Sequence, residues 1–128
     1  MVAKKLPKPT EAELAILQVL WKQGPSTVRQ VQDCLADRGT GYTTTLKLMQ
    51  IMFEKGLLKR DESERSHVYT SAVPQTRTQK QLVSQLIDQV FDGSAQQLVM
   101  QALSSRKASA DELAEIRALL DSIERGQS

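Results

Sequence analysis

Residues 41–69 have the sequence GYTTTLKLMQIMFEKGLLKRDESERSHVY, and this stretch decides the predicted fold. Its first half predicts a helix over residues 43–55, whose apolar side carries Thr45, Leu48, Met49 and Met52, with Leu46 and Phe53 at its margin. Gly56 follows where a helix C-terminus favours a residue with positive φ. Residues 57–60 and 67–70 are then predicted as the two strands of a basic hairpin.

Two short helices are predicted before this stretch. Thr10 and Glu13 have the spacing of a capping box for the first helix. Its apolar positions are Leu14, Leu17, Leu20 and Trp21. Ser26 or Thr27 is predicted to cap the second helix, whose narrow apolar stripe is Val28, Val31 and Leu35. Three helices followed by a hairpin predict a winged helix-turn-helix over residues 6–74.

The second half of the chain, residues 75–126, is predicted to be a helical dimerisation domain. Three helices with apolar stripes are expected there, and so few residues cannot bury all three stripes within one chain. A second copy of the chain is the simplest partner that could bury these stripes, because two-fold dimers are the commonest oligomers. The predicted interface consists of Leu82, Leu86, Val90, Leu98, Leu113, Ile116, Leu120 and Ile123. The alternative is that residues 75–126 fold back onto the N-terminal domain of the same chain.

The polar side of the predicted helix over residues 43–55 is suited to contacting DNA bases. Lysine can donate to guanine, glutamine can pair with adenine, and threonine offers a hydroxyl and a methyl group. The candidates are Thr43, Thr44, Lys47 and Gln50. Thr43 and Thr44 could instead hold a phosphate against the free N–H groups of the helix start. The alternative for this surface is an ordinary solvated polar face.

The hairpin predicts contacts with the DNA backbone. Arg65, Ser66 and His67 at its tip, with Arg60 nearby, would face phosphates or the minor groove. Such contacts supply salt-dependent affinity and not sequence choice. An ordinary polar turn is the alternative. Residues 1–9, MVAKKLPKP, are expected to form a flexible basic arm.

Composition and charge limit the class of protein. The chain has 128 residues, of which 40% are hydrophobic and 25% charged, as in ordinary globular proteins. Residues 1–75 carry 11 lysines and arginines against 8 acidic residues, and residues 76–128 carry 6 against 7. An excess of basic residues in the N-terminal part suits a DNA-binding domain there. No apolar run approaches the roughly 18 residues of a membrane span, and no secretory signal is visible. A cytoplasmic protein without direct membrane insertion is therefore expected.

Few residues of this chain could support catalysis or bind a metal. One cysteine and one histidine cannot supply a site of several nitrogen and sulfur ligands. His67 has neither a nucleophile elbow nor a Gly-rich oxyanion turn beside it, and no phosphate-cradling loop occurs. We expect no catalytic residues, no metal and no cofactor, which makes an enzyme the weakest class. Cys34 is expected to be a small buried hydrophobic residue, with a redox sensor as the alternative.

The motifs together resemble the penicillinase-repressor family, the BlaI/MecI group of bacterial repressors with CopY-type relatives. The resemblance covers residues 6–124. It is carried by PTEAELAILQVLW at the start, EKGLLKR before the hairpin, FDGS in the tail and SADELAEI in the last helix. It implies a homodimer that binds double-stranded DNA at an inverted-repeat operator and represses the downstream genes. In β-lactam-responsive members, it also implies a membrane-bound sensor metalloprotease that cleaves the tail.

The chain departs from that family pattern at three places. The cleaved bond in those members is Asn-Phe, whereas this chain has Gln101 and Ala102 there as the candidate proteolysis site. The C-terminal cysteine cluster of copper-responsive members is absent from the sequence. Leu46 and Ile51 stand where members that bind β-lactamase operators carry arginines, so a different operator sequence is expected. Two other functions stay open: a protein-interaction module without DNA binding, and a ligand-responsive regulator.

Overall fold

The computed structural model describes residues 8–126, and its elements follow the predicted order. They are α1 (Glu11–Gln23), β1 (Ser26–Thr27), α2 (Val28–Cys34), α3 (Tyr42–Glu54), β2 (Leu58–Asp61), β3 (Val68–Ser71), α4 (Gln75–Val90), α5 (Ala95–Ser105) and α6 (Ala110–Glu124). A 3-10 turn, Ala36–Arg38, lies between α2 and α3. The predicted class is confirmed: a mainly helical chain with a winged helix-turn-helix followed by further helices.

The described part of the chain divides into two compact units, and the boundary lies between Val83 and Ser84. The division falls inside α4, whose first half belongs to the first unit and buries Thr78 there. The boundary expected at residue 75 stays a prediction. Most of the predicted basic arm, residues 1–7, lies outside the described residues. Within residues 8–126, no helix combines the length and the apolar character that crossing a bilayer requires.

A three-stranded antiparallel sheet closes the first unit, in the order β1–β3–β2. The hairpin of β2 and β3 was predicted, and it pairs Arg60 with Tyr69. We call this hairpin, residues 58–71, the wing. The two-residue strand β1 was not predicted, and it pairs Ser26 with Tyr69 on the other edge of β3. Thr27 ends β1 and caps α2 as predicted, because its hydroxyl accepts from the N–H of Gln30.

The core of the first unit is aliphatic, as the sequence predicts. Ile16, which the predicted stripe of α1 did not include, is buried beside Leu17 and Leu20. The indole N–H of Trp21 donates to the Ser71 hydroxyl and to the Val73 carbonyl, which fastens α1 to the end of the wing. The other buried apolar residues are Val28, Val31, Leu35, Met49, Met52, Leu57, Leu58, Tyr69 and Val73.

Gly56 ends α3 in the way the sequence predicts. Its φ is 86°, a conformation that side chains with a Cβ rarely adopt. Its N–H donates to the Phe53 carbonyl, and the N–H of Leu57 donates to Met52, the bond pattern of a Schellman motif. The chain therefore turns directly from α3 into β2, which fixes the wing beside the exposed side of α3.

The expectation that Cys34 is buried is wrong, since its thiol is exposed. Cys34 is the last residue of α2, and the chain continues as a 3-10 turn. Val28 and Val31 of this short helix are buried, as is Leu35 directly after it, whereas Cys34 lies beyond the margin of that stripe. The amide of Gln23 lies 2.9 Å from its sulfur.

Glu13 is buried, and it joins α1 to the end of α3. Its carboxylate accepts from the Lys55 ammonium group at 2.8 Å and from the Thr10 N–H at 2.9 Å. Burial raises the pKa of Glu13, but the bonds from Lys55 and Thr10 outweigh it, so the pKa lies below its ordinary value of 4.5. The capping box was predicted, whereas the ion pair with Lys55 was not.

We expect Glu13→Gln to destabilise the first unit at neutral pH by about 1–3 kcal/mol, because the charged partner of Lys55 is lost. The lowered pKa means that the carboxylate stabilises the fold above pH 4.5, and that this contribution is lost as the pH falls below 4.5 through the folded-state value. Urea unfolding followed by the fluorescence of Trp21 measures this unit directly.

The matched control is Glu11→Gln, because Glu11 lies on the same helix turn but its side chain is 93% exposed. We expect this control to keep the stability of the native protein. The difference between native protein and Glu13→Gln should shrink progressively as the pH falls below 4.5. Equal stability at pH 7 would contradict the assignment.

Candidate nucleic-acid interface

One side of α3 packs against the core, and this packing leaves the opposite side of the helix exposed to solvent. Thr45, Met49 and Met52 are buried on the core side, and the hydroxyl of Thr45 donates to the Gly41 carbonyl at the helix start. The four predicted base-contacting residues lie on the other side, and all of them are exposed: Thr43, Thr44, Lys47 and Gln50. The structure therefore places them together on one helix surface.

Lys47 has no acidic residue within ion-pair distance in the part of the chain that the structure describes. Gly41, which precedes α3, has no side chain to bond the first N–H groups of the helix. An uncompensated ammonium group on an exposed helix surface can donate to base edges or phosphates.

The tip of the wing carries one arginine, Arg65, next to Glu62 and Glu64. Asp61 accepts a bond from the N–H of Ser63, which lowers the pKa of its carboxyl and shapes the turn. Arg65 and Ser66 are exposed, and His67 is half-buried. The structure thus brings these three predicted residues together at one end of the wing.

Arg60 has a different environment from the other predicted residues. Its guanidinium lies 4.0 Å from the centre of the Phe53 ring on α3, and its Nε donates to Glu62 at 2.7 Å. Hydrogen bonding to the Tyr69 side chain and then to Glu62 raises the pKa of Arg60. Its charge is already paired within the protein, and its stacking ties the wing to α3.

An open groove of about 390 Å³ runs between α3 and the wing. We call it the wing groove. The side of α3 contributes Tyr42, Leu46 and Gln50, and the wing contributes Arg65, Ser66 and His67. Its walls are polar and positively charged, which suits a negatively charged strand that lies between a helix and a wing.

Sequence reasoning missed two residues of this groove, Arg29 and Tyr42. The guanidinium of Arg29, in the first turn of α2, lies 4.7 Å from the centre of the Tyr42 ring at the start of α3. A cation in the first turn of a helix opposes the helix dipole. That unfavourable placement is the one signal in the sequence that could have drawn attention to Arg29.

Comparisons with known proteins identify relatives of this chain. The family model described as penicillinase repressor matches residues 9–122. The penicillinase repressor of Bacillus licheniformis is 24% identical over 119 residues, which cover 92% of this chain and 93% of that protein. The transcriptional regulator BlaI of Mycobacterium tuberculosis is 29% identical over 124 residues, covering 95% and 89%.

Two solved structures are similar to the first part of the chain. One is the solution structure of the DNA-binding domain of the repressor BlaI, with a TM-score of 0.51. The other is the monomeric form of Bacillus licheniformis BlaI in complex with the blaP half-operator, with a TM-score of 0.50. Both are 25% identical, and each match covers 58% of this chain and 92% of the solved chain. The predicted resemblance is confirmed, and the chain belongs to the penicillinase repressor family.

Proposed function

We propose that this protein is a homodimeric transcriptional repressor that binds double-stranded DNA at an inverted-repeat operator. The observation that carries the proposal is the exposed polar side of α3, with an unpaired Lys47, beside a wing that carries Arg65 at its tip. Family membership supports it, as do relatives named as a repressor and a transcriptional regulator. The similar structure bound to half-operator DNA supports the same mode of binding.

In this proposal α3 enters the major groove, which is wide enough to admit a helix. Thr43, Thr44, Lys47 and Gln50 then face base edges and the adjoining phosphates. The wing lies over the neighbouring backbone, where Arg65, Ser66 and His67 contact phosphate or the minor groove. Base contacts choose the sequence, and wing contacts add affinity that salt weakens.

The helices of the second unit support the dimer. Neither α5 nor α6 contains a buried residue in the single chain. Several large apolar side chains are about half exposed or more: Val90, Met100, Leu119, Leu120 and Ile123. Leu86, Val99 and Leu103 are exposed as well. So many exposed apolar residues are unusual on a monomer, and a second copy would cover the same set on both chains.

The predicted interface residues differ in their exposure. Leu86, Val90, Leu120 and Ile123 are exposed, whereas Leu82, Leu98, Leu113 and Ile116 are partly buried within the chain. The exposed members can contribute most to a dimer, since their apolar area is still accessible to water. Leu119, which was not predicted, is 59% exposed and joins this group.

We propose further that proteolysis of the tail releases the protein from its operator. This part of the proposal rests on the family resemblance. A membrane-bound sensor metalloprotease would cleave the tail and remove part of the dimer interface. Gln101 and Ala102 have exposed side chains but lie inside α5. Their carbonyls accept bonds from Ser105 and Arg106. Cleavage at this position therefore requires α5 to unwind, since an intact helix resists proteolysis.

Arg65→Ala tests the wing. We expect weaker binding to every DNA sequence and a salt slope of log Kd that is smaller by about one, because one phosphate contact is lost. Arg60→Ala is the comparison on the same wing. Since Glu62 already pairs Arg60, this variant should keep the salt slope but lower the melting temperature. A smaller slope in Arg60→Ala would mean that Arg60 contacts DNA as first predicted, and an unchanged slope in Arg65→Ala would contradict the wing assignment.

Enrichment of binding sites from a random duplex library tests the proposed function. We expect an inverted repeat whose half-sites are about one helical turn apart, or a multiple of that distance. An enriched single half-site would contradict the dimer. A library without any enriched motif would contradict sequence-specific DNA binding and favour the protein-interaction module.

A further inference from the structure

The wing groove has a second charged wall that the predicted DNA-binding residues do not include. One wall is the tip of the wing, with Arg65 and His67. A second wall is formed by Arg29 from α2 and Tyr42 from α3. Gln50 lines the groove as well. Cations from two different elements around one open groove suit an extended anion better than the edge of a single base.

Arg29 is free to bind such an anion. Within residues 8–126, no carboxylate lies within 4 Å of its guanidinium, whereas Arg60 is paired with Glu62 and Arg38 with Glu11. Its guanidinium lies over the ring of Tyr42. An aromatic ring orients a guanidinium without neutralising it.

The helix dipole does not favour an arginine at the position of Arg29. It lies two residues after the cap Thr27, in the first turn of α2, where the helix dipole favours acidic residues. Tyr42 is the first residue of α3, and its position is fixed by the same helix that carries the base-contacting residues.

We propose that the wing groove holds the sugar–phosphate backbone of one DNA strand, and that Arg29 is a phosphate ligand on the wall that α2 contributes. The inference rests on the proposed function. With α3 in the major groove and the wing tip at the adjoining minor groove, one strand has to pass between them. Tyr42 is the positioning residue, since it acts through the guanidinium that lies over its ring.

The test uses the full chain and measures anisotropy with a native upstream duplex and a scrambled duplex over a salt series. Arg29→Ala should weaken binding to both duplexes by the same factor. Its salt slope should be smaller by about one, so the affinity lost between 50 and 200 mM salt is about 3.5-fold smaller. Arg29→Lys should keep the wild-type slope, because the charge remains.

Two controls separate DNA contact from folding. Arg38→Ala removes an exposed arginine of the same unit that is paired with Glu11 and does not line the groove, and it should change neither affinity nor slope. Tyr42→Phe keeps the ring and should bind as the native protein does, whereas Tyr42→Leu should bind more weakly. Melting temperatures are measured for every variant.

The outcomes are distinct. A wild-type slope in Arg29→Ala overturns the proposal, whether affinity is unchanged or falls together with the melting temperature. A larger loss of affinity for the native duplex than for the scrambled duplex also overturns it, because Arg29 would then contact a base. If the native protein binds neither these duplexes nor any library sequence, the proposed function itself fails.

Discussion

Leu120→Asp should convert the protein into a monomer and weaken operator binding at least a hundredfold. Leu120 lies on α6 and is 52% exposed in the single chain. In a dimer, an aspartate at this position would be buried in an apolar interface on both chains, and an unpaired buried charge costs several kcal/mol. Loss of the second half-site then moves binding from the specific towards the non-specific range, which are typically at least 10³-fold apart.

Light scattering measures the mass of the free protein, and anisotropy measures its affinity for the inverted repeat. Ala118→Asp is the matched control, because it places the same charge on α6 at an exposed position on roughly the opposite side of the helix. This control should remain dimeric and bind normally. A Leu120→Asp variant with the mass and affinity of the native protein would contradict the dimerisation role of α6.

Lys47→Ala and Gln50→Ala should abolish most of the discrimination between the native operator and a scrambled duplex. Each base contact typically contributes about 1–3 kcal/mol of discrimination, a factor of roughly 5 to 150. Both side chains are exposed on the same side of α3. The effect should appear as a smaller ratio of the two dissociation constants, and the Lys47 variant should also have a weaker salt dependence.

Lys22→Ala and Gln18→Ala are matched controls for these two variants. Both are exposed residues of the same types on α1, away from the wing groove. They should leave the ratio of the dissociation constants unchanged. If Lys47→Ala and Gln50→Ala also leave it unchanged, the solvated polar face considered for α3 is the correct interpretation.

The local parts of the fold could be predicted from the sequence because local physical signals determine them. The capping box of Thr10 and Glu13 starts α1, and Gly56 ends α3 with the positive φ that its position favours. The helical periodicity of the apolar residues in α3 was sufficient to place Met49 in the core and Gln50 on the surface.

The parts that sequence reasoning missed depend on residues distant in the chain. Strand β1 has two residues and exists because β3, more than forty residues later, pairs with it. The burial of Glu13 depends on Lys55, which is 42 residues away. Neither contact has a local signature in the sequence. A capping box has the same sequence whether it is exposed or buried.

The predicted site residues of α3 and of the wing tip lie together on the surface, and their role in DNA binding stays a prediction, whereas the pairings within the site were not predicted. Arg60 was predicted as a phosphate contact, yet it lies against Phe53 and Glu62. Arg29 was overlooked, although its charge is unpaired within the described residues and it lies at the groove. Composition shows that a cation is present, but only the folded structure shows whether a carboxylate has already paired with it.

The most direct test of the proposed function is the anisotropy of the purified protein with its own upstream duplex, measured against a scrambled duplex over a salt series. Sequence-specific repression predicts tight binding to the upstream duplex alone, with two protomers per site and an affinity that falls steeply with salt. Equal and weak binding to both duplexes would contradict an operator in that region. A flat response to both at low salt would contradict DNA binding altogether.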